Sequence, residues 1–266
     1  MDAMEMMTAA KFETHDIRSL EGRVCPEEWK LRVDLAACYR LVALYGWDDM
    51  IFTHISARIP GPEHHFLINP YGLLFDVITA SSLVKIDLDG NKVEPSPYPV
   101  NPAGFTIHSA IHANRDDAHC VMHLHTVDGV AVAAQEHGLL PLSQHAQLIY
   151  GDVAYHDYEG VALDLDERER LVKDVGDKNL VILRNHGTLA MGATCADAFL
   201  RIYHLEKAAS MQVRALAGGT KIYATNQGIT EKNSELGRAA FGGPISALAW
   251  PALLRKLDRI DSSYKH

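Results

Sequence analysis

Helical spacing of apolar residues predicts five helices along the chain. Trp29, Val33 and Leu41 belong to a pattern with three- and four-residue spacing, which predicts an amphipathic helix over residues 26–45. Gly46 is a natural stop for this helix. The same reasoning, helped by capping residues at Asn101 and Thr194, predicts the other four. Those helices are predicted over residues 101–114, 128–137, 163–175 and 194–216.

Short apolar or alternating runs between these helices predict β-strands. They cover residues 52–59, 66–68, 118–125, 153–155 and 180–183. Residues 83–87 and 92–94 flank Asp89-Gly90, a pair that favours a hairpin, and three prolines then interrupt regular structure. Alternation of helices and strands predicts an α/β fold in which one sheet carries helices on both faces.

The chain divides into three parts by this pattern. Residues 1–25 are polar and irregular, which indicates an N-terminal arm. Residues 26–220 hold the regular pattern and form the predicted main domain, and residues 221–266 form a C-terminal extension without a clear period.

Composition narrows the class of protein. The 266 residues are 47% hydrophobic and carry a formal net charge of −9, which disfavours nucleic acid and anionic membranes as partners. No apolar stretch is long enough to span a membrane and no leader pattern is visible, so the cytoplasm is expected. The four cysteines are far apart without a paired motif, and buried free thiols are expected: Cys25, Cys38, Cys120 and Cys195.

His123 and His125 are the first candidates for chemistry. On a strand, side chains two residues apart point to the same face, so both imidazoles would lie side by side. Such a pair can bind one metal ion, and zinc takes imidazole nitrogen at roughly 2.0–2.1 Å. Paired histidines also occur as hydrogen-bonded polar residues at strand ends, so the pair alone leaves both interpretations open.

His186 favours the metal interpretation. It follows the apolar run 180–183 at a predicted strand end, where ligands of α/β folds tend to lie, and Gly187 would allow a tight turn there. Three histidines with an open fourth position are typical of a catalytic zinc site.

The remaining histidines are interpreted more simply. His108 and His112 share a helix face, and we expect that face to be half-exposed, with a supporting role at the site as the alternative. Surface positions are predicted for four others: His64, His65, His119 and His137.

The chain resembles the class II aldolase/adducin family in five motifs, which appear in the family's order between about residues 28 and 218. These motifs are Thr53-His54-Ile55-Ser56-Ala57-Arg58, Asn69-Pro70-Tyr71-Gly72, Asn101-Pro102-Ala103-Gly104-Phe105, Val121-Met122-His123-Leu124-His125-Thr126 and Leu183-Arg184-Asn185-His186-Gly187.

The resemblance implies a fold, a cofactor and a reaction. The fold would be a three-layer αβα sandwich with a central mixed, mainly antiparallel sheet. His123, His125 and His186 would hold a divalent metal ion, usually zinc, which polarises a carbonyl in aldolases such as L-fuculose-phosphate aldolase. Family enzymes act on small molecules and are commonly homotetramers with active sites between subunits.

The motifs depart from those of sugar-phosphate aldolases. Gly104 stands where those enzymes carry a glutamate base, and the phosphate-binding elements are bulkier, which resembles the adducin-like branch. The family's substrate-binding positions fall on Thr53, His54, Ser56, Asn69, Tyr71, Gly72, Gly104 and Asn185. His145 lies near the position of a tyrosine that donates a proton across the subunit interface, and it is either a catalytic acid or an ordinary loop residue.

Two functional hypotheses follow. One is a metal-dependent lyase that acts on a small hydroxy-carbonyl or hydroxy-acid by aldol cleavage or decarboxylation. The other is a non-catalytic, adducin-like domain that binds a protein partner. The chain lacks the Lys-rich tail on which adducin partners rely, and this disfavours the second hypothesis.

Overall fold

The structure is a computed structural model that describes residues 17–160 and 166–266. Residues 1–16 of the predicted arm and 161–165 of a predicted helix lie outside the described residues. The described helices of four or more residues are α1 (Pro26–Leu44), α2 (Pro102–Asn114), α3 (Val127–Ala133), α4 (Gln144–Ile149), α5 (Glu167–Val175), α6 (Cys195–Ala217), α7 (Gln227–Ala240) and α8 (Pro244–Ile260). The strands are β1 (His54–Arg58), β2 (Phe66–Ile68), β3 (Val84–Ile86), β4 (Cys120–Leu124), β5 (Val153–His156), β6 (Leu180–Leu183) and β7 (Gly187–Gly192).

Within the described residues, seven strands form one mixed sheet in the order β3-β2-β1-β4-β7-β6-β5. The neighbouring strands are antiparallel except β5 and β6, which are parallel. The sheet is therefore mixed and mainly antiparallel, which confirms the predicted fold class.

The two faces of the sheet bury different helices. Ile55, Met122 and Ile182 face a large core that also contains apolar residues of α1, α6 and α8. Val121 and Leu189 face a second core with α2 and α5. Side chains alternate across a strand, so β4, β6 and β7 each contribute to both cores. The result is the predicted αβα sandwich.

Three predicted elements need correction. The return strand at residues 92–94 is reduced to one bridge between Ile86 and Lys92, because the prolines that follow prevent a longer ladder. The helix predicted over residues 128–137 ends after seven residues, at Ala133, and a turn follows. The strand predicted to end at His125 ends at Leu124, so strict alternation does not itself position the second histidine.

The last forty residues contain helices that the hydrophobic pattern did not predict. Trp250 and Leu257 of α8 are buried in the core beside α1 and α6. Tyr264 is fully buried, and its carbonyl accepts a hydrogen bond of 2.9 Å from the backbone N–H of Ala80. The boundary at residue 220 between the main domain and the C-terminal extension stays a prediction. None of the described helices has the length and apolar character needed to cross a membrane.

The close contact between α7 and α4 generates a testable prediction. A Cβ on Gly237 would overlap the backbone carbonyl of Leu148, whereas on Gly228 of the same helix it would meet only Asn226 Oδ1, at 3.4 Å. We expect Gly237→Ala to lower the free energy of unfolding by about 2 kcal/mol or more, because backbone atoms must move apart. Gly228→Ala, the matched control, should be neutral or stabilising by up to about 1 kcal/mol. Urea denaturation measures both, and equal stabilities would contradict this packing.

Candidate metal centre

Three histidines from two segments that are distant in sequence meet at one end of the sheet. His123 lies near the end of β4, His125 follows this strand, and His186 lies in the turn between β6 and β7. One ring nitrogen of each lies within 4.8 Å of one from each of the other two. The ring centroids are 4.6–4.8 Å apart. The structure thus brings together the three predicted metal ligands.

Close backbone packing positions His186 beside the other two. A Cβ on Gly187 would overlap the carbonyl oxygen of Leu124 and would lie 3.0 Å from His125 Cδ2. The glycine is therefore required by this close approach and not, as predicted, by the turn itself. The left-handed position of the turn is Asn185, with φ of 55°.

Hydrogen bonds orient two of the rings. His123 Nδ1 donates to the backbone carbonyl of Thr188 at 3.0 Å. His125 Nδ1 lies 3.1 Å from Asp49 Oδ2, where it can donate to the carboxylate. With both Nδ1 atoms used in this way, the Nε2 atoms of His123 and His125 face each other at 2.9 Å. A carboxylate or carbonyl behind each imidazole is the usual arrangement of metal-ligating histidines.

The electrostatics of the cluster fit a cation. Burial, and then the neighbouring histidines, holds the pKa of His123 well below its usual value. Burial, with smaller effects from His125 and His156, lowers the pKa of His186 to about 4. Neutral imidazoles keep the lone pairs that a metal needs, and nitrogen ligands suit zinc and similar divalent ions. The residues therefore fit the metal ion that the resemblance implies.

Asp49 is a residue that sequence analysis missed. It lies in the loop between α1 and β1, far from the histidine motifs in sequence. Neither spacing nor periodicity places this loop beside His125, so no pattern in the sequence identifies it.

A second group of histidines lies behind the first, and here the expectation of half-exposed side chains was wrong. His108 and His112 are 0% and 2% exposed, because their helix face packs on the sheet face that carries His54 and Ser56. His54 pairs with His123 across β1 and β4, and their rings are 5.0 Å apart. Burial lowers the pKa of His112 to about 3. His64, His119 and His137 are exposed as predicted, and His65 is half-buried.

The predicted substrate-binding residues fall into three sets. His54 lies beside His123, and Gly104 lies beside His54: a Cβ on Gly104 would lie 2.7 Å from the His54 ring. Thr53 and Asn69 are also buried, and the Tyr39 hydroxyl contacts Asn69 Oδ1 at 3.0 Å. In the third set, Ser56 contacts His108. The other three lie in turns and are exposed or half-buried: Tyr71, Gly72 and Asn185. Their roles in binding stay predictions.

His145 lies on α4 and not in a loop. Its ring is 5.3 Å from that of His204 on α6, and it does not belong to the metal-ligand cluster found among the described residues. The predicted role is in a neighbouring subunit's site, so the arrangement within one chain leaves it a prediction.

Comparison with known sequences identifies the family. The model of the class II aldolase and adducin N-terminal domain matches residues 33–213. A putative aldolase class 2 protein of Caulobacter vibrioides is 60% identical, and the alignment covers 92% of this chain and 96% of the relative. Mouse alpha-adducin is 41% identical over 98% of this chain, which corresponds to 37% of the adducin.

Solved structures show the same fold. An aldolase II superfamily protein from Pseudomonas syringae is 51% identical, with a TM-score of 0.89, and the match covers 94% of this chain and all of that one (100%). L-fuculose 1-phosphate aldolase from Glaciozyma antarctica matches 96% of this chain and 97% of its own, with a TM-score of 0.77 and 24% identity. The chain therefore belongs to the class II aldolase and adducin family.

Proposed function

We propose that this protein is a divalent-metal-dependent carbon–carbon lyase that acts on a small hydroxy-carbonyl or hydroxy-acid by aldol cleavage or decarboxylation. The observation that carries the proposal is the orientation of His123 and His125. Their Nδ1 atoms are engaged by Thr188 and Asp49, and their Nε2 atoms converge, 2.9 Å apart, beside His186. A site that served only to satisfy buried polar groups would not need three convergent lone pairs.

The proposed chemistry divides between the ion and the chain. His123, His125 and His186 would hold the ion, zinc in our proposal, which as a Lewis acid would stabilise negative charge on the substrate oxygen. Thr188 and Asp49 fix the rings. His145 would serve as an acid from a neighbouring subunit of a cytoplasmic homotetramer.

A buried carboxyl supports the two segments that carry the ligands. Thr126, next to His125, and Thr188, whose carbonyl holds His123, both donate hydroxyl hydrogen bonds to Glu206 of α6. Glu206 is 3% exposed, and burial raises its pKa to about 7. The carboxyl therefore links the N-cap residue of α3, Thr126, and Thr188 of β7 to α6.

The alternative function is a non-catalytic domain that binds a protein partner. The 41% identity to alpha-adducin and the presence of Gly104 in place of an acidic residue favour it. The convergence of three histidines, two of them with rings oriented by hydrogen bonds, favours the lyase. Saturable turnover of a small hydroxy-carbonyl or hydroxy-acid would exclude the alternative.

Removal of one proposed ligand tests the metal site. We expect the wild-type protein to retain a stoichiometric divalent ion after dialysis and His123→Ala to lose it, because two imidazoles no longer close the site. Elemental analysis measures the bound metal, and turnover of a panel of small hydroxy-acids and hydroxy-carbonyls measures the activity. His119→Ala, which removes an exposed histidine just before the same strand, is the control and should keep its metal. Wild-type protein without metal after zinc loading would refute the proposal.

Asp49 gives a second test of the same site. Loss of the carboxylate behind His125 removes the group that orients the ring, so we expect Asp49→Ala to weaken metal affinity roughly 10–100-fold. Competition with a fluorescent chelator measures this affinity. An unchanged affinity would mean that the Asp49 contact does not orient a metal ligand.

Glu206→Gln should change how stability depends on pH. The folded-state pKa of Glu206 is raised from 4.5 to about 7. The protonated carboxyl therefore contributes fully to the free energy of unfolding below pH 4.5, and this contribution is lost as pH rises through 7. Relative to wild type, we expect the variant to gain about 3 kcal/mol in unfolding free energy between pH 4.5 and 8. Urea denaturation in the presence of a chelator measures this difference. The histidines are the same in both proteins, so their contributions to the pH dependence cancel. If the unfolding free energies of wild type and variant changed with pH in parallel, the raised pKa of Glu206 would be contradicted.

A further inference from the structure

Four buried polar side chains form a row between the candidate metal centre and the far end of α2. His54 and Ser56 belong to β1, and His108 and His112 belong to α2. None is more than 2% exposed. Burial of so many polar groups is costly unless each is hydrogen-bonded, so their bonding pattern is informative.

The hydrogen bonds of this row are continuous. His54 Nδ1 lies 2.8 Å from His108 Nε2. The Ser56 hydroxyl lies 2.6 Å from His108 Nδ1 and 2.7 Å from His112 Nε2. His112 Nδ1 lies 3.1 Å from the backbone carbonyl of Ala118.

The carbonyl at the end fixes the direction of every bond in the row. A carbonyl can only accept, so His112 Nδ1 carries hydrogen, and burial, which lowers the pKa of this imidazole, leaves Nε2 as an acceptor. Ser56 must then donate to His112 and accept from His108 Nδ1. The reverse direction would place two acceptors against each other at Ala118.

The same logic extends to the ring beside the metal centre. His108 donates through Nδ1, and burial, which lowers its pKa too, leaves Nε2 to accept from His54 Nδ1. His54 Nε2 is then the free lone pair of the row. It lies 3.1 Å from where a Cβ on Gly104 would be, so the ring occupies the space that a side chain at 104 would use.

We propose that His54 Nε2 accepts a hydrogen bond from a substrate hydroxyl, and that His108, Ser56 and His112 are positioning residues that hold this lone pair by fixing the tautomer of His54. The proposal rests on the proposed function, since it names the substrate group that the site recognises. It assigns to the site a requirement for a free hydroxyl beside the group that the ion would bind.

The tautomers themselves provide the first test, without metal or substrate. Long-range ¹H–¹⁵N correlation spectra of the full chain, labelled at histidine, should show the Nδ1–H form for His54, His108 and His112. Ser56→Ala should replace the single form of His54 and His108 by a mixture, because the bridging hydroxyl is lost. Ser109→Ala should leave all three unchanged, since the hydroxyl of this equally buried serine donates only to Thr106 within α2. A proton on His54 Nε2 in the wild type would overturn the proposal.

The second test uses two small acids as probes on the zinc-loaded protein. Glycolate offers a hydroxyl hydrogen and methoxyacetate does not, although both carry the same carboxylate and neighbouring oxygen. We expect wild type and Ser109→Ala to bind glycolate about tenfold more tightly, and Ser56→Ala to lose this preference. Equal or undetectable binding of the two acids by wild type would overturn the proposal. Failure to bind zinc would instead refute the proposed function, and the tautomer spectra would still decide the direction of the row.

Discussion

The close approach of Gly187 to the end of β4 is the contact on which the candidate site depends. The backbone at Gly187 packs against the Leu124 carbonyl with no room for a Cβ. Because β4 and β7 are paired here, with Leu124 opposite Thr188, this contact sets the distance between the two segments that carry the histidines. A larger residue would separate His186 from His123 and His125 and would also displace the carbonyl that orients His123. The register between β4 and β7 therefore also determines the geometry of the three histidines.

The second feature is a layer of neutral imidazoles between the sheet and α2. Burial lowers the pKa of His54, His108 and His123 well below the usual value, so each ring needs a partner for its single N–H. Each of these N–H groups has a hydrogen-bond partner. The hydrogen bonds end on the main-chain carbonyls of Ala118 and Thr188. Main-chain acceptors cannot change protonation state or rotate, and so they define the hydrogen-bond direction better than another side chain would.

Much of this architecture could be predicted from the sequence, but not all of it. Periodicity predicted α1 almost to the residue, and the order of the motifs predicted the sandwich and its mixed sheet. The residue-level errors have a common physical origin. A pattern of spacing shows which side chains share a helix face, but not what packs against that face, and therefore His108 and His112 were expected to be half-exposed. Asp49 was missed for a related reason, since loop conformation depends on tertiary contacts.

The C-terminal helices escaped prediction for another reason. Only Trp250 and Leu257 of α8 are apolar residues buried in the core, and most of its other residues remain exposed or half-buried. The apolar residues that face the core recur at helical spacing, since Leu253 and Leu254 pack against it between Trp250 and Leu257. However, Pro251 lies inside α8, and a proline argues against a helix when the sequence alone is considered. Packing against α1 and α6 decides its structure.

The contact between the His54 ring and Gly104 has an evolutionary consequence. Since the ring fills the volume beside Gly104, the two positions cannot change independently. A lineage that gains a side chain at 104 must first reduce residue 54, and one that gains the ring at 54 must already have glycine at 104. Only one order of substitution is open in each direction, so family members that combine a ring at 54 with a side chain at 104 should be rare.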